Sequence, residues 1–429
     1  MSQIGEKCKL LIKGTTNINS CNISLPTSKS ISNRVLIINS FLSKPKNIYR
    51  LSDSDDSVLM QSLLEKISLN KHSKNIIELN CNNAGTVFRF LTGKLSITDG
   101  KWLLTGSKRM KQRPIEPMIR ALIQLGAEIE FAENNLHPPV LIYGKNNLIG
   151  HYAEIDGTIS SQFISALLMI APLLRNGLTL RLKNKLVSMP YVMMTLNIMK
   201  YFGINYSFEE SIINISPQKY LPKEICIETD WSSASYWYSA VSLAENTEIK
   251  LNELYLNSIQ GDSIIANWYT SLGVSTTVIP DGIVLKNKAH TTNALEYDFI
   301  NHPDIAISIA VVLASKGIKG TLKGLKNLDM KESNRLQLLY KELYKNGYDV
   351  EIENNDILLI NHSERNFTQS NTLHFDSHND HRFAMAFSLF ALNNKDVILD
   401  NPYVTQKSYP DFFKDLQKAG ITISEISNP

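Results

Sequence analysis

Three short segments gather the residue types that anion binding and proton transfer require. Asp376-Ser377-His378-Asn379-Asp380-His381-Arg382 crowds carboxylates, imidazoles and a guanidinium together. Lys331-Glu332-Ser333-Asn334-Arg335 sets a Lys and an Arg four apart, on one face of an expected helix, with a carboxylate beside the Lys. A cation next to an acid can hold an anionic substrate while the acid moves a proton, provided burial raises the acid's pKa. Ser28-Lys29-Ser30-Ile31-Ser32-Asn33-Arg34 offers hydroxyls, an ammonium and a guanidinium on the first turns of a helix, whose unpaired amides attract anions. Arg109-Met110-Lys111-Gln112-Arg113-Pro114 adds three cations ahead of an amphipathic helix, with Pro114 in its first turn. Each segment also has a plainer reading, as a capped surface helix, an ion-pair face, a capping loop or a solvated charge run. The His/Asp cluster lacks HExxH and a cysteine pair, so Arg382 as an anion clamp is preferred to a metal site, and no metal is expected. The Lys29 turn is not a nucleotide loop, because Pro26-Thr27 stand where its glycines belong.

The elements that position these residues follow a regular scheme. Strand-like alternations such as 101–105, 128–131 and 356–360 are interspersed with helical patterns such as 115–125, 191–202 and 336–346, which makes the class mixed α/β. Six times a polar cluster opens a helical stretch: at Ser28, Asn83, Ser160, Ser232, Pro303 and Asn379. The intervals, roughly 55 to 80 residues, suit a supersecondary unit copied six times, three per half, although helix caps alone also produce such starts.

Composition sets the bounds. The 429 residues suffice for two or three domains, and 44 Lys+Arg against 41 Asp+Glu give a net charge of only +3, so any anion must be held by local clusters. Nucleic acid is not an expected partner, since the basic residues are not interleaved with aromatics. The four cysteines have neither zinc-knuckle nor disulfide spacing, which indicates a reducing compartment and idle or buried thiols. Glu6, Lys7 and Lys9 interrupt any leader, and the apolar run 163–174 is shorter than a membrane span, so a cytoplasmic protein without membrane contact is expected.

Taken in register, the motifs resemble the 3-phosphoshikimate 1-carboxyvinyltransferase, or EPSP synthase, family. The resemblance runs from Ser28-Lys29-Ser30 through Asn83-Ala84-Gly85-Thr86, Arg113-Pro114, Ser160-Ser161-Gln162, Pro190-Tyr191, Ser232-Ser233, Gln260-Gly261-Asp262, Pro303-Asp304, Lys331-Glu332 with Arg335, and Asn379-Asp380-His381-Arg382, to Lys407 with Pro410-Asp411. It implies an α/β fold that is a two-lobed inside-out α/β barrel. Each lobe would hold three copies of a βαβαββ unit, residues 22–229 forming one and 1–21 with 230–429 the other, with the active site in the cleft between them. It implies enolpyruvyl transfer from phosphoenolpyruvate to the 5-hydroxyl of 3-phosphoshikimate by addition and elimination, by a monomer without a cofactor.

Residue by residue, the resemblance assigns 3-phosphoshikimate to Lys29, Ser30, Arg34, Ser160, Ser161, Gln162, Ser188, Tyr191, Asp304, Asn327 and Lys331. It assigns phosphoenolpyruvate to Lys29, Asn83, Gly85, Arg113, Gln162, Arg335, Arg382 and Lys407. Asp304 would serve the hydroxyl, Glu332 the methylene carbon, and Lys29 the proton traffic and the leaving phosphate. The ligands bring about five negative charges, so the bare cations of the two lobes are expected to repel until the ligands close them. Gly85 implies competition by glyphosate. The departures are Thr27, Asn82, Phe90 and Ser333-Asn334, none of which removes a reacting group. The sister transferase acting on UDP-N-acetylglucosamine is disfavoured because the stretch 107–112 has no cysteine, and an ATP-dependent phosphotransferase because the Lys29 turn has no glycines.

Overall fold

The computed structural model describes residues 8–426 apart from 72, 134, 291 and 362–370; the start of the chain weighed above as a leader, residues 1–7, lies outside them. The chain divides into two units, Thr27–Ile227 and Met1–Pro26 with Glu228–Pro429. Strand Cys21–Ile23 belongs to the second of these, because it pairs in parallel with Glu248–Asn252, so the crossing falls at Pro26 rather than at the expected residue 21.

One strand-and-helix pattern recurs in both units. Strand Ile76–Asn80 leads through helix Gly85–Ser96 to the parallel strand Gly100–Thr105, and then through helix Glu116–Gln124 to the antiparallel strands Glu128–Phe131 and Val140–Gly144. The sheet order places the last strand beside the second and the third at the edge. A parallel pair demands a crossover, and a helix supplies it. The same order holds for the sheet built on His151–Asp156 and Leu178–Lys183 and for the one built on Ala294–Asp298 and Lys319–Lys323. Two further copies are assembled from distant chain. In one, the whole of Thr27–Ile227 is inserted after strand Cys21–Ile23; in the other, strand Lys9–Ile12 inserts between Asp396–Asp400 and Ile423–Ile426. The sixth copy departs from the expected βαβαββ: among the described residues it keeps only the short parallel pair Ile48–Tyr49 and Ile225–Cys226, with helices Lys29–Asn39 and Asp55–Asn70.

Burial explains the layering. The first helix of each copy is apolar on most sides, as in Ser161–Ile170, where nine residues are buried, and Ala306–Lys316, which is buried from Ala306 to Ala314. A helix that is apolar all round must be enclosed. In one unit Lys29–Asn39, Gly85–Ser96 and Ser161–Ile170 pack together; in the other Trp231–Leu243 and His381–Ser388 both pack on Ala306–Lys316. The second helices, such as Glu116–Gln124 and Arg335–Lys345, bury one stripe. Strands alternate, with Trp102 and Leu104 fully buried and Lys101 exposed, and each large buried side chain contributes about 1.5–3 kcal/mol. Because each core helix follows a parallel strand, its polar N-terminus emerges at the carboxyl end of a sheet, the end at which open α/β sheets bind ligands.

Two local expectations need correction. Residues 331–334 are not helical: a 3-10 stretch Lys326–Met330 ends at Lys331, and the helix begins at Arg335. The Asp329 carboxylate takes the Leu336 amide, which fixes the start there. Likewise helix Glu116–Gln124 carries Pro117, not Pro114, in its first turn. Among the described residues no helix is long and apolar enough to cross a membrane. Cys226 is exposed, whereas Cys81 is buried.

Candidate active site

In Thr27–Ile227 the helix starts gather into neighbouring polar groups. Ser28 caps the first helix by accepting from the Ile31 amide, which presents Lys29 on the opening turn. The Lys29 ammonium lies 3.0 Å from Asp56, a carboxylate seated in the first turn of helix Asp55–Asn70, where the helix end favours negative charge. Arg34 is 2% exposed. Its guanidinium donates to Thr195 Oγ1 (2.7 Å), the Ser30 carbonyl (2.8 Å), Ser165 Oγ (3.3 Å) and the Tyr191 carbonyl (3.2 Å), and lies over the Phe90 ring at 5.2 Å. Burial lowers its pKa to about 10, which still leaves it charged at neutral pH. Arg34 thus ties Ser30 to Tyr191 in the first turn of helix Met189–Tyr201, whose cap, Ser188, is left-handed at φ 53°.

A second group surrounds Gly85, the first residue of its helix. A Cβ built there would lie 2.5 Å from Arg89 Nη1 and 2.6 Å from both terminal nitrogens of Arg113. Arg113 is 4% exposed and reaches the Asn83 carbonyl at 3.5 Å. Asn82, which replaces a glycine of the family pattern, takes φ 48°; asparagine tolerates that region better than other side chains, so the turn survives the replacement. Ser160 caps the next helix by accepting from the Gln162 amide, and the Gln162 side chain donates to Thr86 Oγ1 at 3.0 Å, linking the Ser160–Ser161–Gln162 start to the Asn83–Thr86 start.

The other unit holds a denser cluster of ions. Asp304 accepts from Arg382 at 2.9 Å and from Arg335 at 3.4 Å, with Lys331 4.0 Å away. Glu332 meets Arg335 at 2.7 Å and Lys407 at 3.3 Å. Asp380 accepts from Arg335 Nε (2.8 Å) and Ser333 Oγ (2.9 Å) while capping helix His381–Ser388 at the Arg382 amide. Exposure divides these groups by task. The Arg335 and Asp380 side chains are 1% and 0% exposed, a fixed frame; Asp304 at 19% and Glu332 at 14% keep an accessible edge. Burial raises the Asp304 carboxyl, but Arg382, Lys331 and Arg335 together outweigh it and hold the group well below the usual carboxylate range. Burial likewise opposes the Arg335 charge, but Asp380 and Glu332 overcome it and strengthen its hold on the proton. Asn327 lies in the 3-10 stretch just before Lys331.

Lys29, Arg34, Asn83, Gly85, Arg113 and Gln162 thus meet polar partners within one unit, and Asp304, Lys331, Glu332, Arg335, Arg382 and Lys407 within the other, while Ser161, Ser188 and Asn327 are placed by their positions at the helix starts and the 3-10 stretch. The expected basic excess is smaller than a count of cations alone gives, because carboxylates were left out of it: Asp56 offsets Lys29, and Asp304, Glu332 and Asp380 offset three of Lys331, Arg335, Arg382 and Lys407, while Arg34 and Arg113 meet hydroxyl and carbonyl oxygens. Sequence reading missed Asp56 altogether. It lies in Asp53-Ser54-Asp55-Asp56, an acidic N-terminal turn whose signal is a helix start rather than a partner for Lys29.

The chain is similar to known proteins along nearly its whole length. The family model described as EPSP synthase (3-phosphoshikimate 1-carboxyvinyltransferase) matches residues 12–416. The 3-phosphoshikimate 1-carboxyvinyltransferase of Bacteroides fragilis is 41% identical over 403 residues, covering 94% of this chain and 95% of the relative. That of Vibrio cholerae serotype O1 is 35% identical over 413 residues, with 91% and 95% covered. The solved structure of EPSP synthase from Acinetobacter baumannii superposes with a TM-score of 0.77 at 19% identity, covering 98% of this chain and all of that one, which establishes the two-lobed α/β fold. With the family match spanning nearly the whole length and relatives above a third identical, this chain belongs to the EPSP synthase family.

Proposed function

We propose that this chain is an enzyme that transfers the enolpyruvyl group of phosphoenolpyruvate to the 5-hydroxyl of 3-phosphoshikimate, releasing phosphate and 5-enolpyruvylshikimate 3-phosphate, a step of the shikimate pathway. The observation that carries this reading is the cluster in which Asp304 and Glu332, two partly accessible carboxylates, share Lys331, Arg335, Arg382 and Lys407. Addition–elimination through a tetrahedral intermediate needs a base at the hydroxyl and an acid at the methylene carbon, with the roles reversed as phosphate leaves. In this reading Asp304 serves the hydroxyl, Glu332 the methylene carbon, and Lys29 steadies the departing phosphate.

Lys29, Ser30, Arg34, Ser160, Ser161, Gln162, Ser188, Tyr191, Asp304, Asn327 and Lys331 take 3-phosphoshikimate. Lys29, Asn83, Gly85, Arg113, Gln162, Arg335, Arg382 and Lys407 take phosphoenolpyruvate. A carboxylate held far below its usual range is a weak base, so the ion pairs of Asp304 have to loosen before it can act. Ligand anions compete for the same cations, and each one drawn away raises the basicity of Asp304. Binding and activation are thereby coupled. The same reading has the enzyme act as a cytoplasmic monomer, with no cofactor.

The deciding measurement is phosphate release from phosphoenolpyruvate. It should require 3-phosphoshikimate and be inhibited competitively by glyphosate; release that ignores 3-phosphoshikimate, or none with both ligands, would sink the assignment. Gly85→Ala gives a sharper test. The new methyl meets the far ends of the Arg89 and Arg113 side chains, which can swing aside, so the fold survives while Arg113 loses its place. The KM for phosphoenolpyruvate should rise about tenfold, the cost of misplacing one charge-assisted contact, with kcat changed less.

A further inference from the structure

The turn that leads into Arg382 is held from a site the reaction scheme does not use. His378 and Asn379 take successive left-handed conformations, φ 50° and 56°, which are unfavourable for residues that carry a Cβ. The turn closes on itself through the Asp380 amide, which donates to the Ser377 carbonyl at 2.8 Å, and it is braced from outside at His378 by Glu342, on helix Arg335–Lys345 and only 2% exposed. Its Oε1 lies 3.0 Å from His378 Nε2, and its Oε2 accepts from the Asp376 amide at 3.2 Å and from Lys345 at 3.0 Å. Burial raises the Glu342 carboxyl, but these hydrogen bonds outweigh it and keep the group ionised, so His378 must be the donor. The Asp376 side chain completes the turn by accepting from the His378 amide at 2.7 Å.

Arg335 and Glu342 are two helical turns apart on one face of the same helix, about 10.5 Å along its axis. Arg335 grips Asp380 and Glu342 grips His378, so the helix holds the turn at two points, immediately before the residue that reaches Asp304. We infer that Glu342 is a positioning residue for the reaction: through His378 it fixes the left-handed turn that aims Asp380 and Arg382. This rests on the proposed role of Arg382 in holding phosphoenolpyruvate.

Three variants test it. Glu342→Ala should raise the KM for phosphoenolpyruvate about tenfold, the scale of one lost charge-assisted contact, and leave the KM for 3-phosphoshikimate within about twofold. Glu342→Gln, whose amide oxygen can still accept one of the bonds, should recover most of that loss. Leu339→Ala removes a fully buried side chain from the same helix; it should lower the melting temperature and leave both KM values in place, which separates aiming from general loosening. Amide exchange at His378 and Asp380 reads the clamp without substrate and should quicken at least tenfold in Glu342→Ala. Unchanged exchange there, or an equal rise in KM for Leu339→Ala, overturns the proposal. Absence of phosphate release by the unaltered protein would instead overturn the assignment of Arg382, and the exchange result would judge the clamp alone.

Discussion

Replacing Asp304 with alanine should lower kcat by about two to four orders of magnitude, the range for losing a positioned general base, with little loss of substrate binding. Binding survives because Asp304 is the anionic competitor for Arg382, Arg335 and Lys331. Removing it leaves these cations one competing carboxylate fewer, although Arg335 stays paired with Asp380 and Glu332, so the affinity for phosphoenolpyruvate should hold or improve. Asp304→Asn sharpens the test, because the amide keeps the size and an acceptor oxygen but cannot take a proton; it should be as inactive as the alanine variant. The pH dependence follows from the direction of the shift. With its folded pKa depressed, Asp304 stays ionised in the free enzyme well into acid and contributes stability that is lost progressively as pH falls from the usual carboxylate range through that low value. The acid limb of kcat/KM should therefore track the second ionisation of the substrate phosphates, near pH 6, and not Asp304. Steady-state kinetics with binding measured separately would check this; turnover near normal in Asp304→Asn would remove Asp304 from the mechanism.

What the sequence makes legible are features written in local chemistry. Helix starts can be read because the capping residue lies next to the helix it caps: Ser28, Ser160 and Asp380 each accept an amide two or three residues on. Strands can be read where one face is buried, as at Lys101 to Thr105. Partnership between distant residues carries no such mark. Arg335 finds Asp380 across 45 positions, Arg382 finds Asp304 across 78, and Arg34 finds Thr195 across 161. Glu342 looks in sequence like half of an ordinary surface pair with Lys345, and only the fold shows it to be buried and turned toward His378. The misplaced helix start at Lys331 has the same origin. Its spacing fits a helix, but the competing bond from Asp329 to the Leu336 amide sets the boundary four residues later. The reduced sixth copy was hidden too, because its strand Ile225–Cys226 lies far along the chain from its partner Ile48–Tyr49.

Lys94 marks a place where the fold works against its own stability, and Lys94→Met should stabilise the protein by about 2–4 kcal/mol at pH 7. The residue lies near the end of the buried helix Gly85–Ser96 and is 4% exposed. Two features favour its charge, the helix C-terminus and the Phe41 ring, whose centroid is 4.5 Å from the ammonium. Burial outweighs both, and with the charge of Lys71 adding to it the pKa falls to about 7. An unfolded lysine titrates near 10.4, so between about pH 7 and pH 10 the unfolded chain holds a proton that the folded chain has given up. Stability rises with pH wherever the unfolded state binds more protons. Here the slope approaches about 1.4 kcal/mol per unit, and the full penalty, at most about 5 kcal/mol by the same arithmetic, is present below pH 7. Methionine fills nearly the same space without a charge, so the advantage of Lys94→Met should be largest at and below pH 7 and should shrink toward zero near pH 10. Unfolding of both proteins measured across that range would show the two stability curves converging as pH rises. Parallel curves, or a variant less stable at pH 7, would mean that the ammonium is satisfied where it lies and that the aromatic ring and the helix end compensate its burial in full.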